Sequence, residues 1–126
     1  MADPATILVV EDEELVRDFT VELLSDCGYV VLAAANGREA LDLLDREKKI
    51  DLLFTDIVMP GDLDGFALAR EAKRRRPLLP ILYTSGYTNR FSAGDMGETF
   101  GPIVAKPYRP DQLSLEIRRA LGTAAP

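Results

Sequence analysis

Four apolar runs in this chain end in polar residues of a kind that does chemistry. Ile7-Leu8-Val9-Val10 ends at Glu11 and Asp12, and Leu52-Leu53-Phe54-Thr55 ends at Asp56. Ile81-Leu82-Tyr83 ends at Thr84 and Ser85, and Ile103-Val104-Ala105 ends at Lys106. Runs this short and this apolar read as strands of a parallel sheet, buried on both faces. If their ends meet, one edge carries three carboxylates, a hydroxyl and an ammonium. Carboxylates packed together repel, and their pKa values rise unless cations compensate. Lys106 is one compensating cation. A hard divalent ion is the other, and magnesium suits an all-oxygen donor set far better than zinc. Magnesium takes one or two carboxylates plus a phosphate oxygen. A carboxylate oxygen left free can then attack phosphorus, with charge on the phosphoryl oxygens neutralised by the metal and the lysine. The pattern points to Asp56 as a phosphoryl acceptor.

The intervening segments must bring these ends together. After the first strand, Leu15, Phe19, Leu23 and Cys27 recur every four residues, with Val16 and Leu24 beside them, and predict a helix ended by Gly28. Asp12 or Glu13 suits its start. Tyr29 to Ala33 reads as a second strand, fading through Ala34-Ala35 into Asn36, a good cap. A helix over about Gly37 to Glu47 turns Ala40, Leu41, Leu43 and Leu44 inward. Pro60, Gly61 and Gly65 bracket an irregular acidic loop. Phe66 to Arg76 is a third helix closed by Pro77, and Pro80 to Thr84 a fourth strand. From Thr88 to Gly101 the helical signal is weak, because Gly94 and Gly97 each cost roughly 1 kcal/mol against alanine. Ile103 to Ala105 is the fifth strand. The last helix runs from about Pro110 to Leu121 with Leu113, Ile117 and Leu121 buried.

This alternation defines an α/β fold: a flavodoxin-like, doubly wound, five-stranded parallel sheet of order 2-1-3-4-5, with helices on both faces and a weak fourth helix. In that order the second strand lies to one side of the polar cluster. It is also the strand that ends in alanines. Ligands of such sheets bind at the carboxyl ends of the strands, where Asp56 emerges.

With 126 residues the chain is expected to be a single domain, 1–126, with an ordered core of about 6–121. A net charge of −6 disfavours a general nucleic-acid binder. The run Lys73-Arg74-Arg75-Arg76 suits the C-terminus of a solvated helix. Cys27, the only cysteine, excludes an internal disulfide and is expected to pack. The absence of histidine removes the commonest general base. No apolar stretch matches a membrane span, and the N-terminus lacks a signal-peptide pattern, so the expected setting is cytoplasmic. Each site residue alone has a simpler reading: Asp56 a turn former, Glu11-Asp12 a helix start, Lys106 an ion-pair partner, Ser85 a turn before Gly86. Their recurrence at four strand ends favours the shared pocket.

The segments Ile7-Leu8-Val9-Val10-Glu11-Asp12-Glu13, Asp56-Ile57-Val58-Met59-Pro60, Asp64-Gly65, Thr84-Ser85-Gly86 and Lys106-Pro107 resemble the receiver domain of bacterial two-component response regulators. The likeness runs from Ile7 to Leu121 and includes the chemotaxis receiver. Thr84-Ser85-Gly86-Tyr87 is similar to receivers of hybrid histidine kinases and to some single-domain regulators. The resemblance implies that Asp56 is the phosphoacceptor. Asp12, Asp56 and the Val58 backbone carbonyl would hold Mg2+, with Glu11 acting through water. Lys106 would pair with a phosphoryl oxygen. Ser85 matches the switch hydroxyl, with Thr84 the second choice. The implied partners are a histidine kinase or phosphotransfer protein and an unknown downstream protein, with neither nucleic acid nor membrane. The domain would assist its own phosphorylation and dephosphorylation without being an enzyme on an outside substrate, and Tyr87 to Gly101 would reorder. The usual aromatic on strand five is replaced by Ile103, leaving Tyr83 or Tyr87 as nearby aromatics.

Three rivals stand beside this reading. An unphosphorylated docking module would keep the fold without the chemistry. An aspartyl phosphatase usually wants a second carboxylate where Val58 stands. A flavin- or nucleotide-binding protein would need a phosphate-cradling loop where Glu11-Asp12-Glu13-Glu14 stands.

Overall fold

The computed structural model describes residues 4–59, 61, 63–85, 103–106 and 108–122. The weak helix and the reordering segment expected within 87–101 lie outside the described residues. The described elements, numbered here in chain order, are β1 (Thr6–Val10), α1 (Glu14–Asp26), β2 (Val30–Ala34), α2 (Gly37–Arg46), β3 (Leu52–Asp56), α3 (Gly65–Arg75), β4 (Ile81–Ser85), β5 (Ile103–Ala105) and α4 (Pro110–Gly122). The strands form one parallel sheet of order β2-β1-β3-β4-β5, as expected.

Successive side chains on a strand point to opposite faces, so this sheet builds two cores. On one face Leu8, Val10, Leu53, Ile81 and Tyr83 pack with Ala40, Leu41 and Leu44 of α2 and Leu68, Ala69 and Ala72 of α3. On the other, Ile7, Val9, Leu52, Phe54, Leu82 and Val104 pack with Leu24 of α1 and Leu113 and Ile117 of α4. Carried one step past the strands, the same alternation puts Glu11, Asp56 and Lys106 on the α1/α4 face. Thr84 falls on that face too, whereas Ser85 falls on the opposite one.

The helix starts follow side-chain chemistry. Asn36 Oδ1 accepts the Glu39 N–H at 2.9 Å, and Glu39 Oε1 accepts the Ala35 N–H at 2.9 Å. Asp64 Oδ1 accepts the Ala67 N–H at 2.8 Å and opens α3. Gly28, at φ +99, turns the chain out of α1 in a conformation that disfavours a Cβ.

Two expectations are corrected. The α1 row Leu15, Phe19, Leu23 and Cys27 is not the buried stripe: Leu15 is 84% and Phe19 49% exposed, and Cys27 is exposed. The inward row lies one residue along, through half-buried Val16 and fully buried Thr20 and Leu24. Thr20 interrupts the apolar pattern of that row, but its hydroxyl is satisfied inside the core. The basic run after Arg70 is also more than a solvated helix end. Arg75 Nη1 forks onto Asp45 at 2.7 Å, and Arg76 donates to the carbonyls of Leu44, Glu47 and Lys48, so α3 closes the C-terminus of α2.

Candidate functional site

Asp56 ends β3 with only 5% of its surface exposed. The chain beyond it is pinned twice. The Ile57 N–H donates to the Thr84 carbonyl at 3.0 Å, and the Gly65 N–H donates to the Ile57 carbonyl at 2.8 Å. The second bond presses the start of α3 against the end of β3. A Cβ at Gly65 would collide with the Asp56 carbonyl oxygen and lie 2.7 Å from Ile57 Cα, so only glycine fits there. The Val58 backbone, directly after this turn, weakly favours the charged form of the Asp56 carboxyl.

Glu11 continues β1. Its N–H donates to the Ala34 carbonyl at 3.1 Å, and its Oε2 accepts the Glu13 N–H at 3.0 Å. Glu13 caps α1 without a side-chain bond, so the acid of this stretch serves the pocket more than the helix end. From β5, the Lys106 N–H donates to the Ser85 carbonyl at 3.0 Å. The Lys106 ammonium donates to Asp56 Oδ2 at 2.9 Å and lies 2.6 Å from Glu11 Oε1. The latter contact is an ion pair with poor hydrogen-bond alignment. One lysine therefore bridges two buried carboxylates drawn from two other strands.

Burial pushes the Asp56 and Glu11 carboxyls above the ordinary range, and neighbouring negative charge adds to this. The bonds and charge of Lys106 oppose the shift without cancelling it. For Lys106 the balance goes the other way. Burial disfavours its ammonium, but the bonds to Glu11 and Asp56 outweigh burial and hold its pKa above the usual lysine value.

Glu11, Asp12 and Asp56 each present a carboxylate oxygen within 4.8 Å of the others. Asp12 is the solvent-accessible member. Hard oxygen donors at this spacing, in a chain without histidine, fit a magnesium-type ion. The structure thus brings Glu11, Asp12, Asp56 and Lys106 together, with Val58 on the segment directly after Asp56. Thr84 pairs in register with Asp56, and its buried hydroxyl has no partner among the described residues. Ser85 is buried at the end of the same strand. Ile103 pairs with Tyr83, whose ring meets Phe66 edge-on at 5.3 Å, so this aromatic is a core residue. Tyr87 lies outside the described residues.

Sequence reasoning missed Thr20 and Tyr108. Their hydroxyls form a buried hydrogen bond between α1 and the residue two past Lys106. The signal available was a polar residue on the inward row of α1 and an aromatic two residues past Lys106.

A parallel sheet of this order, with three acids and a lysine at its carboxyl edge, defines a receiver-type domain. The chain belongs to the response regulator receiver domain family, whose model matches residues 7–118. The sensor kinase CckA of Brucella abortus (strain 2308) is 34% identical over 124 residues, covering 96% of this chain and 13% of CckA. The response regulator receiver protein CpdR of the same strain is 34% identical over 119 residues, covering 94% of this chain and 98% of CpdR. Among solved structures, the receiver domain of the hybrid histidine kinase CckA has a TM-score of 0.79 at 36% identity, covering 93% of this chain and 99% of that one. Vibrio cholerae CheY4 has a TM-score of 0.84 at 28% identity, covering 94% and 99%. The chain spans only 13% of CckA and 24% of the putative NtrX-like response regulator of Rickettsia bellii (strain RML369-C), the first two curated relatives.

Proposed function

We propose that this receiver domain is a phosphoacceptor switch in a two-component phosphorelay, with Asp56 as the residue that carries the phosphoryl group. The observation that supports it most is the Lys106 ammonium, held between Glu11 Oε1 and Asp56 Oδ2 at 2.6 and 2.9 Å. The donor is the phosphohistidine of a kinase or phosphotransfer protein. An Asp56 carboxylate oxygen attacks its phosphorus, the P–N bond breaks, and the imidazole leaves with the bonding pair and takes a proton from solvent. Lys106 exchanges its Asp56 contact for a phosphoryl oxygen. Magnesium, held by Asp12, Asp56, the Val58 carbonyl and Glu11 through water, would supply the remaining positive charge. Of the two hydroxyls that end β4, this reading takes Ser85 as the one that answers the new phosphoryl oxygens, with Thr84, whose buried hydroxyl lies on the Asp56 face without a partner among the described residues, as the second choice; the segment 87–101 that follows changes affinity for a downstream protein. The domain assists its own phosphorylation and hydrolysis and acts on no outside substrate. Its setting is the cytoplasm. Among the described residues no helix is long and apolar enough to cross a membrane.

For the donor's docking surface this reading takes the exposed apolar residues that follow the pocket acids in the chain. Leu15, Phe19 and Val58 are 84%, 49% and 44% exposed on the two segments that follow Glu11-Asp12 and Asp56. Acetyl phosphate or beryllofluoride with magnesium tests the central claim. Wild type should take up the group at one site and Asp56→Asn should not. An identical response from both proteins would leave the docking module as the better reading.

A further inference from the structure

Lysine is a poor residue to hold still, because its ammonium rides on four rotatable methylenes. Yet Lys106 spans two carboxylates at the very end of β5. Its backbone is fixed on one side by the bond from its N–H to the Ser85 carbonyl. Two residues further on, the chain is fixed again. Tyr108 is 8% exposed, and its ring lies 5.9 Å from Phe54 of β3 and 6.4 Å from Phe19 of α1. Its phenol meets the hydroxyl of Thr20, which is fully buried.

The direction of that bond follows from proton counting. A threonine hydroxyl has one proton. Thr20 donates it to the Val16 carbonyl at 2.8 Å. The phenol must therefore be the donor and Thr20 the acceptor. The Tyr108 side chain is tied to α1 by a directed bond and wedged against Phe54, two residues before Asp56. Burial, above all, pushes the Tyr108 phenol pKa up, so the phenol keeps the proton it donates.

We propose that Tyr108 is a positioning residue for phosphoryl transfer: anchored on Thr20, its phenol fixes the chain two residues past Lys106, and so the backbone from which the Lys106 ammonium reaches Asp56. This rests on the reading of Asp56 as phosphoacceptor. The residue touches no reacting atom and acts through Lys106.

The test is a double-mutant cycle with radiolabelled acetyl phosphate and magnesium. Tyr108→Phe keeps the ring and leaves no unpaired donor, since Thr20 still bonds Val16. It should slow phosphorylation of Asp56 roughly three- to tenfold, the factor that one ordinary hydrogen bond supplies. In a Lys106→Met background the same change should alter the rate less than about twofold, because a residue acting through Lys106 has nothing left to position. An unchanged rate in Tyr108→Phe, or an equal loss with and without Lys106, would overturn the proposal. Nitrogen-15 lysine NMR gives a readout independent of phosphorylation and of the Lys106 variant. The Lys106 ammonium protons should exchange with water faster in Tyr108→Phe, and equal protection would also overturn it. If wild type accepts no phosphoryl group, the reading of Asp56 fails, and the NMR comparison still decides the role of Tyr108.

Discussion

Gly65→Ala is the substitution that most directly probes how the site is built. In most helices the change is favourable, by up to about 1 kcal/mol, because alanine is the better helix former. Here the new methyl would strike the Asp56 carbonyl oxygen and sit 2.7 Å from Ile57 Cα and 3.0 Å from the Asp56 carbonyl carbon. All three obstacles are backbone, so no side-chain rotation relieves them. The start of α3 must move off the end of β3, lengthening the 2.8 Å bond from Gly65 N–H to the Ile57 carbonyl. Overpacking of this kind costs typically 1–3 kcal/mol, and a bond lost between buried backbone groups costs about 1–3 kcal/mol more. Against the propensity gain, the net destabilisation should be roughly 1–5 kcal/mol. Urea unfolding should show a lower midpoint with an unchanged slope. Acetyl phosphate labelling of the fraction still folded should also fall, because the displaced residue is Asp56 itself. A Gly65→Ala protein as stable as wild type, with full labelling, would refute the argument that α3 sets the position of the phosphoacceptor.

Other outcomes follow from the same contacts. Thr20→Val should destabilise more than Tyr108→Phe, by about 1–3 against 0.5–1.5 kcal/mol in urea unfolding, because it strands the buried phenol donor while the phenylalanine strands nothing. The reverse order would mean that the proton direction is wrong. Leu15→Glu should slow transfer from a cognate phosphodonor protein at least tenfold and leave acetyl phosphate labelling within about twofold; equal effects on both would remove Leu15 from the docking surface. Because burial raises the pKa of Asp56 and Glu11, the folded chain holds protons that the unfolded chain releases. Their stabilising contribution is complete below the ordinary carboxylate values, near about pH 4, and is lost as pH rises through the raised folded values. Metal-free urea midpoints should thus fall across that window, and Asp56→Asn should flatten the fall; equal slopes would contradict the burial argument.

The fold was legible because the strands are buried on both faces. Ile7-Leu8-Val9-Val10 and Leu52-Leu53-Phe54 have no solvent side, so they read as unbroken apolar runs, and their polar ends marked the sheet edge. Glu11, Asp12, Asp56 and Lys106 were found for the same reason: a charge at the end of such a run has few places to go. Helix α1 was less legible. Its apolar residues form a band wider than one buried stripe, and Thr20 hides the inward row by being polar. The structure keeps Thr20 inside by giving its hydroxyl both a proton acceptor and the Tyr108 donor, a pairing between positions 88 residues apart that no local pattern carries. Leu15 and Phe19, read as core, are exposed instead. Arg75 and Arg76 were taken for a solvated end because charge at a helix C-terminus needs no other reason to exist, yet their tertiary partners, the Asp45 carboxylate and the Leu44 carbonyl, lie on α2.

The charge balance of the pocket links stability to the proposed function. Lys106 offsets one of the two buried carboxylates it touches, and Asp12 adds a third carboxylate at the rim. The metal-free site therefore folds around a net negative charge that Lys106 alone does not neutralise; burial first, and this charge second, keep the Asp56 and Glu11 pKa values raised despite a cation within 3 Å. A ligand that binds only the folded state stabilises it by mass action. Hence the residual charge that penalises the empty fold should appear, with opposite sign, as affinity for a divalent cation. The two quantities should vary together. Asp12→Asn, at the exposed rim, should weaken magnesium binding while raising metal-free stability at neutral pH by little. Asp56→Asn, within the buried pair, should weaken binding and raise metal-free stability more. Magnesium titrations followed by thermal unfolding would test that ordering, and an Asp56→Asn protein that lost cation affinity with no change in its metal-free pH profile would separate the two effects and break the argument.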